Sequence, residues 1–381
     1  MLADISRANK QGNLKLVRNR ICRYLQSRDA RCVAILEAYQ SMRTEKRPDE
    51  LDVDALAETL FPHKGSAEPV RLFMQRKGEP GAGGYRLVME FGLENRALQY
   101  LIKAPLTAAA NLHPHQFGTV GVSAAITRIA EFMTEGYQWG CEIDIESCFP
   151  SFSEEMLVRL LPIPKEVIRH VAMSNALNIV HSVNLYDVFG PADNGLDPLA
   201  VTDFLSEARQ GIPTGSAASS ITSEILLSSP FKALPSHGVA VGYADNSFLM
   251  AKSEKDAMSI KEAFWSDLKS QSAGLLRPKV KGAFRPGDPV DVLGHRLRLL
   301  DEKVRVDPSP KNDAIFNSTI EKGIARLKMS KLNHAGHDRI AKNLRKYVKA
   351  WTSSFGVCDG IADRRSSTLA RINDACKQAL K

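Results

Sequence analysis

The stretch VGYADNSFLM, residues 241–250, decides how this chain is read. Val239, Val241 and Tyr243 alternate before an Asp-Asn pair, and Phe248, Leu249 and Met250 resume the apolar run after it. Alternation on both sides of turn-forming residues predicts a β-hairpin. Asp245 and Asn246 suit a tight turn, and in an isolated hairpin that alone would account for them. The reading turns on a second carboxylate. WGCEIDIESCFPSF (139–152) reads as a short strand ending in aromatics and Pro150, and it carries Asp144, 101 residues before Asp245. Two such carboxylates clamp a pair of Mg²⁺ ions ~3.5–4 Å apart, the arrangement that nucleotidyl transfer needs. One ion acidifies the primer 3′-hydroxyl, and the other neutralises the triphosphate and the leaving pyrophosphate.

Outward from these two strands, periodicity sets the organisation. Residues 1–60 read as mostly helical, with a charged break at RTEKRPDE (43–50). Across 70–92 two strands flank a glycine-rich loop whose GAGG is followed by strand alternation, so it is a loop tip and not a phosphate-cradling helix start. Helical patterns cover 93–110 and 121–135, and further helices run from the Asp144 strand to about 180. The segment 181–210 is irregular. GIPTGSAASSITSEILLSS (211–229) begins as a Gly/Ser loop and becomes a helix with Ile221, Ile225 and Leu226 on one face. A helix over 254–272, strands at 275–281 and 290–299, and a helical tail from 308 complete the pattern.

Composition narrows the function classes. No run of 18 apolar residues is present, which argues against a membrane span, and the N-terminus has no secretory-signal pattern. Six scattered cysteines without a C-x-x-C pair predict reduced thiols in a cytoplasmic protein. Of the net charge of +8, residues 301–381 carry 17 Lys and Arg against 9 Asp and Glu, and residues 1–48 carry 11 against 4. Two basic ends around an acidic middle suit a polyanion held at the ends and metal-binding carboxylates in the centre. His113 and His115, and His334 with His337, lack the partner cysteines or His-Glu frame of a metal site.

The ordered blocks from about residue 71 to 356 resemble a reverse transcriptase. YRLVMEFGLENRALQYLI and HQFGTVGVSAAI look like the family's fingers blocks, and EIDIESCFPSF is similar to the strand of the first catalytic Asp. GIPTGSAASS resembles the Gly-x-Pro-Gln-Gly-Ser loop, with Thr214 in place of Gln. YADN stands where Tyr-Ala-Asp-Asp is usual. GLLRPKVKG with DVLGHRL looks like the lysine-bearing segment and primer-grip hairpin, and LRKYVKAWTSSFG like the thumb helix of group II intron-like bacterial enzymes. The absence of any RNase H-like or endonuclease-like block brings the chain closest to the unknown-group and abortive-infection enzymes of anti-phage defence.

The resemblance implies an α+β chain with the right-hand polymerase fold: a helical N-terminal extension 1–60, fingers 61–135, palm 136–300 and a basic helical thumb 301–381. It implies that Asp144 and Asp245 are metal ligands for two Mg²⁺ ions, with Mn²⁺ as a substitute, and that Ile145 lends its backbone carbonyl. Arg86 and Arg96 would contact the incoming triphosphate, Gly215 and Ser216 the templating base pair, and either Lys279 or Lys281 would protonate pyrophosphate. Phe149, five residues after Asp144, falls at the sugar gate that favours deoxynucleotides. In the thumb, Ile340, Leu344, Val348 and Trp351 share one helical face while Lys342, Arg345, Lys346 and Lys349 project away, toward a nucleic-acid backbone. The implied activity is RNA-templated DNA synthesis from dNTPs, on an RNA template with a DNA product, with a dedicated non-coding RNA and an oligomeric assembly as further expectations. Asn246 is the departure from the family pattern: it removes one carboxylate but still offers an oxygen or a hydrogen bond. The alternatives are an RNA-dependent RNA polymerase, and a nucleic-acid-binding protein that has lost its chemistry.

Overall fold

The first 60 residues are helical because capping side chains precede their amphipathic stretches. Helices α1 (Leu2–Lys10), α2 (Leu14–Gln26), α3 (Arg28–Ser41) and α4 (Val53–Thr59) follow one another. Asn13, Ser27 and Asp52 accept from the backbone N–H of Leu16, Ala30 and Ala55, satisfying donors that a helix start leaves without partners. The charged break becomes a 3₁₀ turn, Thr44–Lys46. The structure, a computed structural model, describes residues 1–76, 85–181, 206–271, 276–328 and 334–379. The glycine-rich loop and residues 182–205 of the irregular segment lie outside them.

Downstream come β1 (Val70–Arg76), β2 (Tyr85–Glu90), α5 (Leu93–Ala109), α6 (Val122–Thr134), β3 (Trp139–Glu146), α7 (Glu154–Leu160) and β4 (Ile179–His181). Then follow α8 (Ser219–Leu226), α9 (Ser228–Lys232), β5 (Gly238–Tyr243), β6 (Asn246–Ala251), α10 (Glu254–Gln271) and β7 (Arg277–Phe284). The last elements are β8 (Val290–Val292), β9 (His295–Leu300), β10 (Lys303–Pro308), α11 (Pro310–Lys328), α12 (His334–Ser354) and α13 (Ile361–Ala379). Among the described residues the architecture is α+β, with three small sheets among many helices.

The chain forms two compact units, each assembled from three segments. The first comprises Met1–Thr119, Asp144–Ala233 and Ala263–Lys279. In it α3 and α1 pack on α5, and β1 pairs antiparallel with β2 (Leu72 opposite Met89) and parallel with β4 (Val70 opposite Ile179). Val70, Leu72, Met89, Phe91 and Leu177 form the core beneath this sheet. The sequence reading placed helix up to about residue 180. The observed path there passes through a π-helical turn, Ile168–Ala172, and ends in β4.

The second unit comprises Val120–Ile143, Leu234–Glu262 and Val280–Lys381. A four-stranded sheet runs in the order β5-β6-β3-β7; its strand ends 144–146 and 277–279 group with the first unit. Helices separate β3 from β5, and α10 separates β6 from β7. This is the connectivity of a split βαβ unit. Strands β3 and β6 pass closely at Gly140, where a Cβ would stand 2.0 Å from the Leu249 carbonyl oxygen. The stretch 290–299, which periodicity reads as strand and the resemblance as a hairpin at DVLGHRL, is a hairpin: Leu293 (φ 47) and Gly294 (φ 82) turn the chain between β8 and β9. An unforeseen strand, β10, precedes the helical tail and pairs with β9.

The tail packs as the apolar stripe requires. Phe316, Ile320, Leu327, Leu344, Val348 and Ile372 form one core, with Ile340 and Trp351 partly buried at its margin. Trp351 stacks on Phe316 at 4.1 Å, and the Arg364 guanidinium lies over both rings at 4.9 and 4.7 Å.

Candidate active site

The hairpin tip is tighter than the sequence suggests. Tyr243 pairs directly with Asn246, so the two-residue loop is Ala244–Asp245 and Asn246 already belongs to β6. Ala244 takes φ 54, the left-handed backbone that primed hairpin turns demand of the first loop residue. A residue with a Cβ pays roughly 1–2 kcal/mol for it. The Tyr243–Asn246 pairing outweighs that strain and sets Asp245 at the apex.

Asn246 is oriented on both sides. Its Nδ2 donates to Asp245 Oδ1 at 2.9 Å, and its Oδ1 accepts from Lys281 Nζ at 3.0 Å. Lys281 also lies 3.7 Å from Glu142 Oε1. The amide therefore bridges the apex carboxylate and an ammonium group. The Asn246 amide makes a hydrogen bond on each side.

Strand β3 presents its carboxylates by simple alternation. Cys141, Ile143 and Ile145 are buried at 5, 0 and 3 % exposure, so Glu142, Asp144 and Glu146 share the opposite face. Lys279 Nζ lies 3.4 Å from Glu146 Oε1. Glu142 and Glu146 went unremarked in the sequence, although the period-two pattern CEIDIE contains them. Ile145 turns its side chain into the core, which leaves only its backbone for any ligand. Burial pushes the Cys141 thiol up to about 11, so it stays protonated near neutral pH. Asp144 stands near the end of β3 and Asp245 at the hairpin apex.

No protein-family model and no curated protein matches this chain.

A second assembly lies wholly within the first unit. After β3 the chain turns at Ser147 (φ 46), whose carbonyl accepts from Ser151 N and Oγ at 3.1 and 2.9 Å. Buried Phe152 anchors this turn, and Phe149 is left half-buried. The Phe149 carbonyl accepts from Ile212 N at 3.0 Å. Gly211 (φ +59) lies so close that a Cβ there would stand 1.9 Å from that carbonyl oxygen. The same loop docks on β2: Met89 N donates to the Thr214 carbonyl at 2.9 Å, and a Cβ on Gly215 (φ +101) would be 2.6 Å from the Met89 oxygen. Ser216 Oγ accepts from Ala218 N, and Gln99 Oε1 accepts from Ala217 N. Phe149, Gly215 and Ser216 thus stand on one hydrogen-bonded platform. The turn borders a cleft of about 610 Å³ lined in part by Ser147, Ser151, Arg209 and Arg277.

The remaining candidates divide. Arg96 donates Nε to the Phe91 carbonyl at 2.9 Å and lines a cavity that Gly215 also lines. Arg86 lies in β2 with its side chain outside the described residues. Lys342, Lys346 and Lys349 are exposed along α12, and exposed Arg339 extends their stripe. Arg345 departs from this group: its Nε and Nη2 donate to Asn373 Oδ1 at 3.1 and 2.9 Å, tying α12 to α13. Its place one step round the helix from the lysine stripe brings it against the neighbouring helix, where the sequence reading had it facing nucleic acid.

Among the described residues no group of three or more His, Cys, Asp or Glu side chains is placed to hold a metal ion. The donor set does fit hard divalent cations, which take oxygen ligands and few protein carboxylates. Asp144 and Asp245 offer carboxylate oxygens, and Cys141, on the same strand as Asp144, is buried and protonated. Among the described residues no helix is long and apolar enough to cross a membrane.

Proposed function

We propose that this chain is an RNA-directed DNA polymerase of the right-hand architecture, acting on dNTPs with a nucleic-acid primer. The observation that carries the reading is the sheet order β5-β6-β3-β7, which sets the strand of Asp144 beside the hairpin capped by Asp245. Asp144 and Asp245 would hold two Mg²⁺ ions, which when bound acidify the attacking hydroxyl and stabilise charge on the transferred phosphoryl group. Asn246 fixes the Asp245 rotamer through its amide. Lys281, joined to that amide, is better placed than Lys279 to deliver a proton to departing pyrophosphate. Each lysine faces a glutamate, Lys279 facing Glu146 and Lys281 facing Glu142, and Lys281 also reaches the hairpin tip at Asn246. Phe149 stands on its platform as the sugar gate, and Gly215 lets a base pair approach the backbone without a side chain in the way.

Discrimination between sugars tests this reading. Phe149→Ala is expected to raise ribonucleotide incorporation relative to deoxynucleotide in a competition assay on an RNA template. A parent enzyme that already prefers NTPs would move the RNA-dependent RNA polymerase alternative ahead.

The α12 stripe supplies a second measurement. A duplex or strand held through phosphates loses affinity steeply with salt, by roughly 0.7–0.9 log units per contact per log unit of salt. Reversing Lys342, Lys346 and Lys349 together is expected to flatten that slope by about 2–3 while leaving the melting temperature unchanged. An unaltered slope would remove the stripe from the nucleic-acid path.

A further inference from the structure

The helical extension takes no part in the chemistry above, yet it walls a cavity in the first unit. Arg43 and Lys46, from the turn after α3, line about 500 Å³ together with Phe73, Arg96 and Gly215. Among its lining residues the only carboxylate is Glu90, and Lys46 is paired with it. Arg43 is exposed; its carbonyl accepts from Lys46 N at 2.9 Å, and its guanidinium makes no hydrogen bond or ion pair among the described residues. Arg96 is pinned through its Nε by the Phe91 carbonyl, which holds the guanidinium at the wall. Phe73 is the anomaly. Val70 and Leu72 on the same strand are at 0 and 1 % exposure, while Phe73 keeps 38 % of its surface in solvent with the Lys46 ammonium 5.9 Å from its ring. Gly215 contributes bare backbone, because a Cβ there would meet the Met89 carbonyl at 2.6 Å.

We propose that this cavity seats a single-stranded nucleic acid, one base stacked on Phe73 and the adjoining phosphates on Arg43, Lys46 and Arg96. An open aromatic face accepts any base, and cations spread along a wall follow a backbone that carries one charge per nucleotide. A free triphosphate matches the cavity less well. It concentrates several charges within a few ångströms and travels with a divalent ion, whereas the single carboxylate here is already paired. The extension is therefore part of the strand path. The identity of that strand as a template rests on the polymerase reading; its binding does not.

The test is fluorescence anisotropy with labelled 12-nucleotide oligo(U) and oligo(dT), using the full-length parent, Arg43→Glu and Phe73→Ala. Thermal melts confirm that both variants are folded; Arg43 and Phe73 are surface positions. Phe73→Ala is expected to weaken binding by roughly fivefold to a hundredfold, the range of stacking losses on alanine substitution. Arg43→Glu is expected to weaken it and to lower the salt slope by about 0.7 or more, with Arg43→Lys restoring most of the affinity. Parental affinity in both folded variants overturns the proposal. So does displacement of the oligonucleotide by dTTP alone with the same sensitivity to Phe73→Ala, which would make the cavity a mononucleotide pocket. Primer extension is measured in parallel. A parent that extends primers while its binding ignores both variants refutes this site and leaves the polymerase reading intact; binding that follows the variants in a parent without extension does the reverse.

Discussion

Under the two-metal proposal, Asp144→Ala and Asp245→Ala are each expected to lose primer extension by roughly a thousandfold or more, because transition-state charge worth several kcal/mol would have no ion to stabilise it and each 1.36 kcal/mol is tenfold in rate. Both positions are only partly buried, so the variants are expected to melt with the parent. Asn246 is expected to behave differently. Asn246→Ala removes the bridge between Asp245 and Lys281 and leaves both carboxylates in place, so it is impaired less than Asp245→Ala. Asn246→Asp stays active: the new carboxylate pairs with Lys281 and places a second negative charge beside Asp245, which shifts the balance between Mg²⁺ and Mn²⁺. The measurement is extension on an RNA template with the metal titrated for the parent and all four variants. Robust extension by either aspartate variant would refute the two-metal assignment.

Gly211→Ala is the largest expected effect on stability. The methyl group would meet the Phe149 carbonyl oxygen at 1.9 Å and Pro150 Cα at 2.7 Å, at a residue already in the left-handed region (φ +59). Backbone strain of roughly 1–2 kcal/mol adds to overpacking of roughly 1–3 kcal/mol. Neither neighbour is a side-chain tip that could swing aside, so the turn of Phe149 and the 211–216 loop must separate. A loss of about 2–5 kcal/mol in chemical denaturation is expected, with looser sugar discrimination in whatever remains folded. Gly12→Ala is the internal control, since Gly12 shares a positive φ (+69) but has nothing within 4 Å of its Cβ position. Equal losses in the two variants would show that backbone conformation alone, and not the contact with Phe149, sets the cost.

What could be read in advance was local. Alternation in CEIDIE and VGYADNSFLM gave β3 and the β5–β6 hairpin, and the four-residue spacing of Ile340, Leu344 and Val348 gave the buried face of α12. What escaped depended on partners distant in sequence or on backbone conformations that composition does not announce. Strand β4 has three residues and exists only because Val70 waits more than 100 positions upstream. The β8–β9 turn uses Leu293 at φ 47, a residue that alternation reads as strand. The hairpin loop shifted by one residue for the same reason: Ala244 and not Asn246 accepts the left-handed backbone. Arg345 has the composition of a nucleic-acid contact, and only the packing of α13 shows that Asn373 claims it. The run of an ion pair and two hydrogen bonds from Glu142 through Lys281 and Asn246 to Asp245 joins three strands, so no window of sequence contains it.

The central claim is templated nucleotide addition by a two-metal centre at Asp144 and Asp245. Its most direct test is single-nucleotide extension of a labelled DNA primer on an RNA template by the full-length protein, each dNTP supplied alone. The account predicts incorporation of only the complementary dNMP, abolished by EDTA, restored by excess Mg²⁺ or Mn²⁺, and missing in Asp245→Ala. Incorporation that ignores the template or survives Asp245→Ala, or a folded parent inert on every template with either metal, would contradict it.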